Sequence, residues 1–308
     1  MGLRSNLSMQ LHGLKHISRN VDVIKDGQST NYAILQTAHR LEKGLCIRNP
    51  RAGWGFDKAN RLVRLVVKEG KQESPDTVAM QIGTGVLAAY VEAKRASEAQ
   101  EDVEGLKKLL SLIDEVGLQI SRSDDGGAIL LKKEDVIQDA AVERLFLTRH
   151  SVRDFADTPV EKEKLERAVT LALRAPSACN RQATQVYVLS GEERIRAGAK
   201  NEYHADRYLI ITGNMKAFNL KELNDWIVSS SVFCGYLSLA LHAEGIGSCV
   251  FRKEIIRNSS YNDQVRAICH IPDDEQIILE MAIGNYKDEF KVPMSRRRDA
   301  KDVLHFHD

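Results

Sequence analysis

The run Ser121-Arg122-Ser123-Asp124-Asp125-Gly126-Gly127 separates two stretches whose apolar residues follow different periods. Before it the spacing is helical: Tyr32, Leu35, Ala38 and Leu41 lie three apart, and Leu45 follows four later. Asn49-Pro50-Arg51-Ala52-Gly53 breaks that helix. A second helix is expected over Asp57–Glu69, with Leu62, Val63, Leu65 and Val66 turned inward. A third starts at an Asp76 cap and runs to about Ala96, and a fourth covers Val103–Val116. After the run, short β-branched or aromatic segments (Val186–Leu189, Tyr208–Thr212, Gly247–Phe251 and Ile277–Ile283) alternate with helices such as Ala140–Leu147 and Ile227–Leu241. Neither an all-helical nor an all-β body accommodates both textures. The expectation is a polar arm over 1–30, a helical module over 31–122, a linker over 123–139 and a layered domain of helices and strands over 140–308.

Charge narrows the partners. Forty-four Lys and Arg against 43 Asp and Glu leave a formal net charge of +1, whereas nucleic acid or an anionic membrane favours a marked basic excess. The five cysteines, Cys46, Cys179, Cys234, Cys249 and Cys269, are scattered and odd in number, with no CxxC or Cys/His zinc spacing. No metal site and no disulfide framework is expected. The N-terminus lacks the apolar core of a signal peptide, and Val78–Val91 and Ile227–Leu241 are short for a bilayer span, so a cytoplasmic location is expected. No GxSxG, HExxH or P-loop pattern occurs. Gly83-Thr84-Gly85-Val86-Leu87-Ala88 does fit GxGxxA. It is followed by charged Lys94–Gly105 and another helix instead of a second parallel strand, so it reads as small-residue helix packing.

Two segments carry chemistry. In Arg149-His150-Ser151-Val152-Arg153-Asp154-Phe155, an extended chain puts Arg149, Ser151 and Arg153 on one side. Two guanidiniums flanking a hydroxyl can grip a phosphate, although a solvated basic patch has the same composition. The second segment, Ala175-Pro176-Ser177-Ala178-Cys179-Asn180-Arg181-Gln182, stands between a helix bearing Leu165, Val169 and Leu173 and a strand starting near Gln185. Asn180 both donates and accepts, which suits the edge of a flat heterocycle, and it also suits an ordinary turn.

Arg-His-Ser-Val-Arg-Asp-Phe resembles the opening signature of the FMN-dependent nitroreductase family, and Pro-Ser-Ala-Cys-Asn-Arg-Gln resembles its second motif. Helix Ile227–Leu241 with Ala243-Glu244-Gly245-Ile246-Gly247-Ser248-Cys249 is similar to the family's central helix and glycine turn. Ile283-Gly284-Asn285-Tyr286, Pro293, Arg296-Arg297-Arg298 and Val303-Leu304-His305 are similar to its closing segment. The resemblance implies an α+β fold for 140–308: a central, mostly antiparallel sheet flanked by helices, with FMN at a homodimer interface and the helical module as an N-terminal addition.

By the same resemblance Arg149, Ser151 and one of Arg296, Arg297 and Arg298 hold the FMN phosphate and ribityl chain. His150 counts with that segment, as a structural residue in preference to a proton relay. Arg153 lies near the flavin pyrimidine edge and supports the reduced form. Pro176, Ser177, Ala178 and Asn180 reach the flavin bound mainly by the other subunit, and the backbone of Cys249, Val250 and Phe251 lines the ring. NADH or NADPH is the implied donor, and a nitroaromatic, quinone or related small molecule the implied acceptor, in ping-pong order. No nucleophile or dedicated acid is required. Ala178 stands where the family often has a second serine, and Gln182-Ala183-Thr184 replaces the usual Gln-Pro-aromatic, which makes the substrate wall unusual. A dedicated enzyme on the same fold, and a flavin-binding sensor or partner-docking protein, are the alternatives. His39-Arg40-Leu41-Glu42-Lys43-Gly44 reads only as a helical face with paired charges.

Overall fold

The computed structural model describes residues 29–47, 50–130, 139–219, 222, 224–252, 259–293 and 297–307. The N-terminal part holds α1 (Thr30–Leu45), α2 (Phe56–Glu69), α3 (Thr77–Arg95) and α4 (Gln100–Glu115). Tyr32, Leu35, Ala38 and Leu41 are all buried, as their spacing requires. Asp76 caps α3 by accepting the Ala79 N–H at 3.0 Å, a contact worth about 1 kcal/mol. The GxGxxA run lies inside α3, with no strand before it. A Cβ on Gly83 would approach Val66 to 2.8 Å, and one on Gly85 would approach the Ser123 hydroxyl to 2.8 Å, so both glycines serve close packing. Lys94 is buried over the rings of Trp54, Phe56 and Tyr90 and bonds Asp102 at 2.6 Å. Asp102 also accepts from Ser97 Oγ at 2.7 Å and from the Gly53 N–H at 2.8 Å.

Within the His39–Gly44 run, Glu42 meets His39 at 3.4 Å and accepts the Gly127 N–H at 3.2 Å. Residues 123–127, expected to open a linker, therefore lie against α1 and α3. A Cβ on Gly126 would come within 2.6 Å of the Ile82 carbonyl. The arm expected over 1–30 falls outside the described residues except for Ser29, which precedes α1, and Thr30, which starts it.

From residue 140 the order is α5 (Ala140–Thr148), α6 (Lys162–Ala172), β1 (Thr184–Ser190), α7 (Gly191–Arg196), β2 (Arg207–Asn214), α8 (Asp225–Ala243), β3 (Ile246–Phe251), α9 (Ser259–Cys269) and β4 (Glu275–Asn285). Every expected strand is present, lengthened by one to four residues in all. Helix α7, only six residues long, and helix α9 lie outside the elements expected from the sequence. The sheet runs β1-β2-β4-β3 with all neighbours antiparallel, so this part is α+β. Ser190 opens α7 with a capping box: its hydroxyl accepts the Glu193 N–H at 3.1 Å, and Glu193 accepts the Ser190 N–H at 2.8 Å. Those bonds hold the Glu193 carboxyl below its usual range.

Helix α8 covers one sheet face, burying Trp226, Phe233, Leu237 and Leu241. At 19 residues it is longer than its apolar run suggested, and by length and composition it meets the measure for a bilayer span. Half of that stretch is buried in the fold, as for the central helix of a layered domain. The apolar cluster beneath it continues without a break into α1, α2 and α3, so the helical module and the sheet share one core.

Candidate functional site

Arg149 ends α5 in an extended conformation, and the chain then runs along the end of the sheet. Ser151 forms a single parallel bridge with Ser248 of β3, where the Val152 N–H donates to the Ser248 carbonyl at 3.0 Å. Farther on, the Ala156 N–H donates to the Asn285 carbonyl at 3.0 Å, and Lys287 bonds Asp154 at 2.6 Å. Phe155 is buried against two glycines: a Cβ on Gly284 would meet it at 2.7 Å, and one on Gly247 at 3.2 Å. The opening, central and closing sequence blocks thus meet at one place.

Val152 and Phe155 point inward, leaving Arg149 and Ser151 half-exposed and Arg153 exposed. Both guanidiniums act on Cys249: burial pushes its thiol up, against the pull of Arg153 and Arg149. Among the described residues neither arginine has a carboxylate partner, and Arg153 donates only to the Ser151 carbonyl, at 3.3 Å. Two cations without a carboxylate partner beside a hydroxyl are a grouping suited to anions. β3 is one of the two outer strands of the sheet among the described residues. Since Ser248 turns its carbonyl outward to Val152, Val250 presents its own main-chain groups to the same edge two residues on. Of the three residues expected to line the ring, Cys249 is buried, Val250 exposed and Phe251 half-buried against Tyr203 and Tyr208.

A polar chain that no sequence pattern singled out fixes the root of this segment. Thr148 donates its hydroxyl proton to the Arg144 carbonyl at 2.8 Å, so it accepts from His242 Nε2, also at 2.8 Å. His242 Nδ1 then accepts from the Tyr286 hydroxyl at 2.8 Å. Burial, then Arg149 and His150, lower the His242 pKa and keep the ring neutral, as this donor order requires. A lone histidine in the last turn of an apolar helix was the available signal. His150 is half-exposed beside this chain.

The second segment forms a strained loop. Cys179, Asn180 and Gln182 have φ of 53°, 50° and 52°, in the left-handed region that costs an L side chain about 1–2 kcal/mol. Such strain concentrates at functional sites. Pro176 and Asn180 are exposed, while Ser177 and Ala178 are half-buried. The Ala178 N–H donates to Ser229 Oγ at 3.3 Å, near the start of α8, whereas His242 lies at its end. Thirteen residues of helix put the two segments about 20 Å apart in one chain. Arg297 and Arg298 stand on an exposed segment, apart from any ion pair among the described residues, and Arg296 lies outside those residues.

A model of the nitroreductase family matches residues 147–209. Three solved structures illustrate the similarity. An FMN-dependent nitroreductase from Clostridium difficile R20291 is 24% identical, covering 53% of this chain and 98% of its own, with a TM-score of 0.44. A nitroreductase with bound FMN from Desulfitobacterium hafniense DCB-2 is 17% identical, covering 56% and 100%, with a TM-score of 0.46. A nitroreductase family protein from Clostridium difficile 630 is 23% identical, covering 53% and 95%, with a TM-score of 0.44. Residues 147–209 of this chain, which include the Arg149–Phe155 signature, are similar to the nitroreductase family, and the helical module precedes them.

Proposed function

We propose that the chain binds FMN and acts as an FMN-dependent oxidoreductase, with NADH or NADPH as donor and a nitroaromatic, quinone or related small molecule as acceptor. The observation that carries this reading is the pair of unneutralised guanidiniums, Arg149 and Arg153, beside the Ser151 hydroxyl and the free edge of β3. Arg149 and Ser151 would bind the phosphate and ribityl chain. Val250 would offer main-chain groups to the ring, and Arg153 would set a positive charge near its pyrimidine edge, which favours the reduced state. FMN, when bound, supplies the two-electron chemistry; the protein binds, orients and tunes it.

The site is completed by a second copy. The Arg149 segment and the 177–182 loop flank opposite ends of α8, too far apart to close on one flavin ring. The outer face of α8 carries exposed Val228, Val232 and Tyr236. α5 buries none of its side chains and exposes Val142, Phe146 and Leu147. A helix apolar on all sides is at home inside an assembly. The visible spectrum of the purified protein tests the cofactor, with oxidised-flavin bands expected, and bleaching by NADH or NADPH tests the donor. A colourless protein that stays empty in excess FMN rules the reading out.

A further inference from the structure

Arg181 is a fully buried side chain with no part in the cofactor contacts above. Its guanidinium lies 4.8 Å over the Phe218 ring and donates from Nη2 to Glu222 Oε1 at 2.5 Å. Its Nε and Nη1 are buried and have no acceptor among the described residues. Burying a half-satisfied guanidinium is costly, and a well-packed apolar side chain in such a place is often neutral or stabilising. Arg181 is therefore not accounted for by stability alone.

Its position supplies another reason. Within 176–182 it is the one buried residue, and its neighbours Cys179, Asn180 and Gln182 hold left-handed backbone. Beyond the guanidinium the loop has four bonds among the described residues: Asn180 N–H to the Ser177 carbonyl at 2.9 Å, Arg181 N–H to the Ala178 carbonyl at 3.3 Å, Gln182 N–H to Ser177 Oγ at 3.2 Å, and Ala178 N–H to Ser229 Oγ at 3.3 Å. Arg181 fastens the loop to Phe218, whose N–H bonds the Met215 carbonyl at 3.1 Å. In that same turn the Lys216 carbonyl accepts the Ser29 N–H at 3.2 Å, at the start of α1. α1 also packs directly on the 178–180 turn.

We propose that Arg181 is a positioning residue: it holds 177–182 in the left-handed form, on a footing supplied by α1, and so presents Asn180 outward toward the cofactor. The final step rests on the FMN reading; the first does not.

The test is hydrogen–deuterium exchange on the full chain and on Arg181→Met, alongside thermal melting and FMN titration. In the variant, amides 179–182 are expected to exchange about tenfold faster, with α3 and β2 unchanged and Tm equal to or above wild type. FMN affinity is expected to fall about tenfold. Phe218→Leu, which removes the stacking face and keeps the charge, should loosen the same amides, and it decides the matter if Arg181→Met does not fold. Unchanged exchange at 179–182, or faster exchange spread over the whole chain with a lowered Tm, overturns the proposal. A loosened loop with unchanged FMN affinity overturns the cofactor step. Failure of the wild type to take up FMN removes the cofactor reading, while the exchange data still decide the role of Arg181.

Discussion

Phe155 and Gly284 are in mutual contact across a gap that leaves no room for a side chain on the glycine: a Cβ there would lie 2.7 Å from Phe155 Cβ and Cγ. The aromatic ring is thereby pressed to the sheet, and the bridge between Ser151 and Ser248 forms just upstream of it. Gly284→Ala should cost about 1–3 kcal/mol through overpacking. It should weaken FMN binding by shifting Arg149 and Arg153. Denaturant titration measures the first effect and flavin titration the second. Phe155→Ala removes Cγ and Cδ1, two of the three close atoms, so Gly284→Ala should cost less in that background than in wild type, and strictly additive effects in the double variant would contradict the contact.

The Thr148–His242–Tyr286 chain makes stability depend on pH in a definite direction. The folded-state pKa of His242 lies below its ordinary value, so the unfolded chain takes up this proton first. Its contribution is intact above about pH 6.5 and is lost as pH falls through the window below it. Between about pH 7.5 and pH 5.5 the urea midpoint of wild type should drop more than that of His242→Gln. Equal drops would show that the ring does not titrate as its burial demands.

Asp102 is the only carboxylate bonded to the buried Lys94 ammonium among the described residues. Three donors hold its carboxyl below the usual range despite burial. Asp102→Ala leaves the Lys94 charge enclosed by Trp54, Phe56 and Tyr90 without a counterion, and should cost about 3–5 kcal/mol. Calorimetry or chemical denaturation reads this directly. Lys94→Met with Asp102→Ala should be milder than Asp102→Ala alone.

Val228 lies on the outer face of α8, 59% exposed, away from the core. Val228→Glu should leave the single-chain fold intact and turn a dimer into a monomer by sedimentation, with loss of FMN. A dimer that survives the substitution with full FMN content would exclude this face as the subunit contact.

Strands were the most legible feature, because Val186–Leu189, Tyr208–Thr212, Gly247–Phe251 and Ile277–Ile283 are apolar enough to read as buried segments. The antiparallel sense of the sheet was legible only through family resemblance, since strand alternation with helices fits a parallel sheet equally well, and the strand order was not legible at all. Arg149, Ser151 and Arg153 stood out because an alternating cation–hydroxyl–cation pattern survives in one dimension. His242 and Tyr286 did not, because they meet only when the ends of α8 and β4 converge. Arg181 was masked by its place in a motif of smaller residues. Its burial is set by Phe218, which is distant in sequence, and no local spacing reports such a contact.

One apolar cluster spans α1, α2, α3 and the α8 side of the sheet. Severing the chain after Gly127 would strip Ile34, Leu209 and Phe233 of their shared shelter and leave two greasy wounds in place of two soluble halves. The helical extension is therefore bound to the rest as a co-heir: neither portion can be shed by descent, or cut away at the bench, without repacking what remains.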